Sequence, residues 1–335
     1  MTAGTHPRID LRPRAADIVG TARWAPSLHN AQPWRFRVGA DAVEVLLDRS
    51  RRLPVADPRG RQSIIGVGAA AHLVELVVST MDLETRLDRW PRMIEPDLAA
   101  RIRVVGRRSA PQLHLHLLAA VSSRRTVRTP FVPGDVPVPL RVAWREAAET
   151  HGAGLRWVEG PGERAGVAAL VAAAERLQQR DPAYLAELDR WTSPEATDEG
   201  AGVPPWAFGV TAAAGHAAEF PMRDFGGGLD DGRPRHQGPV EAHPVVAVLQ
   251  TAGDRPEDWL DAGRALMRVL LVAAADGYAA SYLNQPLELP GLRQQLRDEL
   301  RLAGWPQLVL RLGRPHGAVP PQPSRRPIAD LLLPS

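Results

Sequence analysis

The amino-acid sequence predicts an α+β fold in which one structural unit is used twice. Helical patterns interleave with a hairpin and with strands that are not neighbours in sequence, which favours segregated layers over a doubly wound parallel sheet. An apolar, small-residue helix followed by a strand occurs in each half: residues 69–81 with 84–87 resemble residues 266–275 with 279–283. At 335 residues the chain is long enough for two domains or one large one.

Residues 14–24 read as a helix entered through Pro13, whose fixed φ suits a first turn. A loop at 25–33 leads to residues 35–38 and 42–48, which alternate around Gly39 and predict a hairpin. Residues 61–81 form a long apolar helix, 83–88 and 102–105 strands, and 111–122 a helix with the segment 123–128 at its end. A helix at 140–151, a strand at 155–158 and an Ala-rich helix at 163–179 follow. The stretch 192–244 is rich in Gly, Pro and Asp and contains Gly226-Gly227-Gly228; loops this long in compact domains are functional or mobile. Strands at 245–250, 279–283 and 307–312 then alternate with helices at 256–275 and 291–301.

Composition narrows the function classes. The chain has no cysteine, so disulfides, thiolate nucleophiles and Cys-ligated metals are excluded. All 41 basic residues are arginine, and the net charge is only +3. No arginine run interleaves with aromatics, so no nucleic-acid partner is expected. No stretch reads as a membrane span and the first 14 residues lack an apolar signal core, which predicts a cytoplasmic protein.

Several motifs invite chemistry. Gly66-Val67-Gly68-Ala69-Ala70-Ala71 has dinucleotide-fingerprint spacing, but only Ser63–Ile65 precede it where a full strand is needed; small residues on a buried helix explain it better. His114 and His116 diverge on a helix and lack a third ligand, so no metal site is expected. Hydrolase elbows and the zincin helix are absent. Three arginines and a hydroxyl in Arg124-Arg125-Thr126-Val127-Arg128 can cradle a phosphate, because guanidinium forks match phosphate oxygens; a solvated basic turn is the bland alternative. Ser27, His29, Asn30 and Gln32, set between Pro26 and Pro33, can edge a flat heteroaromatic ring or simply cap a loop anchored by Trp34.

Together these segments carry a resemblance. Pro26-Ser27-x-x-Asn30-x-Gln32-Pro33-Trp34 with Phe36 resembles the Pro-Ser loop of the nitroreductase family, and Arg124-x-Thr126-x-Arg128 resembles its phosphate-binding entry, with Thr in place of Ser. Asn284-Gln285-Pro286 stands where the family contacts flavin N5, and Arg325-Arg326 resembles its closing basic pair. The length and the stretch Gly277-Tyr278-x-x-Ser281-x-Leu283-Asn284-Gln285-Pro286 are similar to the Acg-type branch.

The resemblance implies a nitroreductase-like fold and one FMN. In ordinary family members the arginine motif precedes the Pro-Ser loop and the flavin lies at a dimer interface. Here the order is reversed, which implies two homologous halves fused into an internal pseudo-dimer: residues 1–110, and 111–335 carrying a lid at 192–244. A monomer is then expected, with a further homodimer left open. The implied flavin contacts are Pro26, Ser27, Leu28, Asn30 and Gln32; Arg124, Thr126, Arg128, Arg325 and Arg326 at the phosphate; and Asn284 and Gln285 near N5. The implied activity is NAD(P)H-dependent reduction of nitro compounds or quinones, the flavin carrying the chemistry and no side chain acting as nucleophile. An FMN-sequestering protein with its lid closed is the alternative.

Overall fold

A computed structural model describes residues 9–208, 210–212, 219–225, 236–238, 244–317 and 320–334. The first helix, α1 (Ala15–Ala22), leads into the hairpin β1 (Trp34–Val38) and β2 (Ala42–Leu47). Next come α2 (Arg61–Ser79), β3 (Leu83–Arg89), β4 (Leu98–Arg107), α3 (Gln112–Ala120), α4 (Val138–Glu149), β5 (Ala153–Val158) and α5 (Pro161–Gln178). Two helices, α6 (Pro182–Thr192) and α7 (Pro194–Asp198), follow. Then come the short parallel pair β6 (Val210–Ala212) and β7 (His236–Gly238), β8 (Val245–Thr251), α8 (Pro256–Ala275), β9 (Ala279–Tyr282), α9 (Gln285–Glu288), α10 (Pro290–Glu299), β10 (Trp305–Gly313) and α11 (Ile328–Leu331).

Two four-stranded antiparallel sheets have the orders β1-β2-β4-β3 and β5-β8-β10-β9. In each, a long helix sits between the second and third strands in sequence, α2 in one and α8 in the other, so the two halves share one topology. The two helices cross where neither has a side chain. A Cβ on Gly68 would lie 2.0 Å from the Leu260 carbonyl oxygen, and one on Gly263 would lie 1.9 Å from that of Ile65. Gly68 and Gly263 are 195 residues apart, and so are Ile65 and Leu260, so the contact is reciprocal, as across a two-fold axis. The same spacing relates Asp82 (φ 58°) to Gly277 (φ 80°), each reversing the chain after its helix. Gly68 of the dinucleotide-like motif thus serves helix packing.

One apolar core runs through both halves, with Trp34, Phe36, Leu73, Trp144, Leu249 and Leu260 among its fully buried members. By length and mean hydropathy α2 could cross a membrane, contrary to the sequence reading, but 17 of its 19 residues are buried inside the protein. After β10 the chain returns to the first half, where Leu332 bridges Phe36 in parallel register beside β1. The sequence pattern missed α6 and α7. Both open with proline after a capping side chain, Asp181 for α6 and Ser193 for α7. Of the expected lid, Gly226-Gly227-Gly228 lies outside the described residues.

Candidate flavin site

A cavity opens where the two halves meet. Pro26, Ser27, Leu28 and Asn30 line it from the first half; Arg124, Thr126, Arg128, Asn284 and Arg325 line it from the second.

The Pro-Ser loop is held in an uncommon conformation. His29, Asn30 and Gln32 have φ of 49°, 55° and 53°, each costing about 1–3 kcal/mol that surrounding contacts must offset. Those contacts are specific. Ser27 Oγ accepts the Gln32 amide at 2.9 Å, and Asn30 Nδ2 donates to the Gly202 and Ser324 carbonyls at 3.0 and 3.1 Å. Gln32 Nε2 donates to Gly200 O at 2.8 Å, while its Oε1 accepts the Arg326 amide at 3.0 Å. Beneath the loop, Ala31 packs with Leu53, Tyr184, Leu188 and Trp191, so the helix α6 supports it.

The arginine segment lies at the edge of the second sheet. Thr126 bridges Ala280 in parallel, Val127 donates to Ala280 O at 3.0 Å, and Arg311 Nη2 binds the Val127 and Thr129 carbonyls at 3.0 and 2.8 Å. In extended chain alternate residues share a side, which brings Arg124, Thr126 and Arg128 to the cavity while Val127 is buried behind. Arg125 lines the cavity as well, from the turn that begins the segment.

The electrostatics are one-sided. Arg124, Arg125, Arg128 and Arg325 all line the cavity, and among the described residues none has a carboxylate partner; each donates only to backbone carbonyls. Buried Arg124 keeps Nε and Nη1 without a hydrogen bond, as do Gln62 Nε2 and the Tyr282 hydroxyl. Burial lowers the pKa of Arg124, with Arg125 adding repulsion. Burial and then Arg223 bring Arg128 down to about 10, and burial with Arg124, Arg23 and Arg125 brings Arg325 down to about 9. Unpaired buried donors and crowded cations are costly unless an acceptor-rich anion completes them.

Over the cavity, Phe225 stacks on Phe208 at 5.4 Å and meets the His29 ring edge-on at 6.0 Å, while Arg128 lies 4.8 Å over its face. His29 is held well below its ordinary pKa by burial, then by Arg223 and Arg128, and is neutral near pH 7. Behind this roof, buried Arg223 pairs with Glu288 at 2.6 Å, and Glu288 also accepts from Gln178 at 2.7 Å.

Three residues of the sequence-predicted set lie outside the cavity lining. Gln32 is used at both ends of its amide as described. Gln285 is fully buried, with Nε2 donating to Glu175 at 3.2 Å. Arg326 pairs with Asp48 at 3.1 Å, because successive residues of an extended tail face opposite ways: Arg325 stacks on Trp24 beside the cavity and Arg326 points into the first half. Sequence reasoning also missed lining residues, chiefly Gln62, Gly66 and Tyr282. The fingerprint-like glycine pair marked Gly66, but for the wrong chemistry; nothing local marked Gln62 or Tyr282.

This geometry sets the comparison with known proteins. A Mycobacterium tuberculosis protein provisionally named an NAD(P)H nitroreductase is 31% identical over 92% of this chain and 88% of its own length. Another from that organism, provisionally named NAD(P)H nitroreductase Acg, is 30% identical over 92% of this chain and 91% of its own. The chain belongs to the nitroreductase family, in its Acg-type branch. No family model matches the Acg-type chain. An FMN-bound nitroreductase from Desulfitobacterium hafniense is similar at 13% identity over 62% of this chain and 93% of its own, with a TM-score of 0.38, too distant to bear on the Acg-type site.

Proposed function

We propose that the protein is an FMN-dependent NAD(P)H oxidoreductase that reduces nitro compounds or quinones, with one FMN bound between its two halves. The observation that carries this reading is the cavity with four arginines free of carboxylate partners and orphaned donors at Arg124, Gln62 and Tyr282. Arg124, Arg325 and Thr126 would hold the phosphate, Arg128 adding positive charge beside them. Ser27, Leu28 and Asn30 of the Pro-Ser loop, with Asn284, would position the flat ring; Asn284 is itself fixed by accepting the Val309 amide at 2.9 Å. Bound FMN supplies a two-electron carrier between a nicotinamide donor and an acceptor. The protein's own work is to bind, orient and shield it.

The names of the relatives support the donor and acceptor classes. Two halves of one topology, packed through Gly68 and Gly263, support a fused pseudo-dimer. The reversed motif order supports a single site. At the same 195-residue spacing, the cavity's Gly66 and Asn284 correspond to Asp261 and Arg89, which form a bidentate ion pair, Nη2 to Oδ2 at 2.7 Å and Nε to Oδ1 at 3.1 Å, where a second flavin would lie. The described parts of the insertion, through Phe208 and Phe225, support a lid.

The visible spectrum of the purified protein tests the cofactor. Colourless protein that refuses added FMN would sink the proposal. Anaerobic mixing with NADPH or NADH tests turnover: prompt bleaching of the flavin band fits the oxidoreductase, whereas colour that persists for hours favours FMN sequestration.

A further inference from the structure

Tyr282 ends β9, two residues beyond Ala280, the residue that bridges Thr126. Residues i and i+2 of a strand share a face, so the tyrosine follows the arginine segment into the cavity. Its backbone is fixed by pairing with Leu310 on β10. The phenolic oxygen is buried and makes no hydrogen bond. A buried hydroxyl left in this state is costly, and native structures rarely keep one without a use. Its electrostatic neighbours are Arg124, Arg128 and Arg325, all donors with nothing to accept a proton. The remaining orphans around the cavity, Arg124 Nε and Nη1 and Gln62 Nε2, are donors as well. A ligand that completes this set must present several acceptor oxygens to one place.

We infer that the Tyr282 hydroxyl is a further anchor of the ligand's phosphate, donating its hydrogen to the oxygens that Arg124 and Arg325 neutralise. This rests on the FMN reading above. Burial raises the phenol's pKa despite the three arginines, so the proton needed for donation stays in place at neutral pH. A phenyl ring with no hydroxyl would fill the same space and keep the strand pairing.

The test is Tyr282→Phe beside the wild type, titrated with FMN and with riboflavin, which lacks the phosphate. Loss of a hydrogen bond to a charged group should weaken FMN binding about 10- to 100-fold and leave riboflavin affinity unchanged. The ligand-free variant should melt no lower than the wild type, since only an unsatisfied group is removed. Equal weakening for both flavins, unchanged FMN affinity, or a variant that melts lower or fails to fold would overturn the assignment. If the wild type binds neither flavin, inorganic phosphate decides. Thermal stabilisation by phosphate that Tyr282→Phe lacks would keep the tyrosine's role and discard the flavin; no stabilisation of the wild type would discard both.

Discussion

Single residues in this chain divide between those spent on the fold and those left for a ligand. Arg326 and Gln32 are saturated by protein partners, whereas Arg124 keeps two nitrogens unmatched although it is buried. Removing it relieves crowding with Arg125 and Arg325 and breaks only one weak bond, to Trp24 O at 3.4 Å. Arg124→Ala should therefore change the stability of the ligand-free protein by no more than about 1 kcal/mol. It should weaken FMN retention about 10- to 100-fold, the worth of a charge-assisted bond. Equilibrium dialysis measures this; unchanged retention would remove the phosphate from this arginine.

The elements are positioned by the α2–α8 crossing, which brings Gly66 and Leu266 to the cavity from opposite halves. Gly68→Ala would drive a methyl group against the rigid Leu260 carbonyl, at 2.0 Å. Separating the two helices to make room should cost about 3 kcal/mol. Two positions away, Gly66→Ala meets its nearest neighbours, Ser27 Cβ and a Trp34 ring carbon, at an ordinary 3.4 Å and should fold normally. Chemical denaturation of both variants checks this: similar midpoints would mean that the crossing is not the critical contact. The hydrophobic periodicity made α2 and α8 legible as buried helices. Their reciprocal packing was not legible, because Gly68 matches a nucleotide motif equally well and nothing local marks Gly263.

At the scale of the molecule, Arg89 and Asp261 pair at the positions that match Asn284 and Gly66 at the 195-residue spacing, so the proposed pseudo-dimer has one site and a filled counterpart. Saturation with FMN should give one flavin per chain, read from absorbance and protein mass; two per chain would contradict the filled counterpart. The same region buries His72 against His151, their rings 4.9 Å apart. Burial, then the surrounding His151, Arg264, Arg268 and His114, holds His72 well below its ordinary pKa, and burial with Arg264, Arg268 and Arg89 lowers His151 to about 3. Below about pH 6.5 the unfolded chain binds protons at these histidines and the folded chain does not. Their contribution is fully present above that pH and is lost as the pH falls towards 3. Melting temperature should drop between pH 6.5 and 5, and His151→Gln should flatten that slope; an unchanged slope would exclude the pair as its cause.

The sequence by itself determined the α+β class, most of the long helices and strands, and the two motifs that meet at the cavity. Each depends on local periodicity or on residue types whose chemistry is their own. It also placed Arg325 at the site together with Arg326, because adjacency in sequence says nothing about side until the chain is known to be extended. Only the tertiary structure decided which member of each polar pair faces the cavity: Asn284 rather than Gln285, Arg325 rather than Arg326. It also brought in Gln62 and Tyr282, whose place is set by long-range strand pairing and helix crossing. The Pro26–Trp34 loop and the Arg124–Arg128 segment come about 100 residues apart in the chain. They become one site because burying the apolar faces of both halves in a single core forces their edges together.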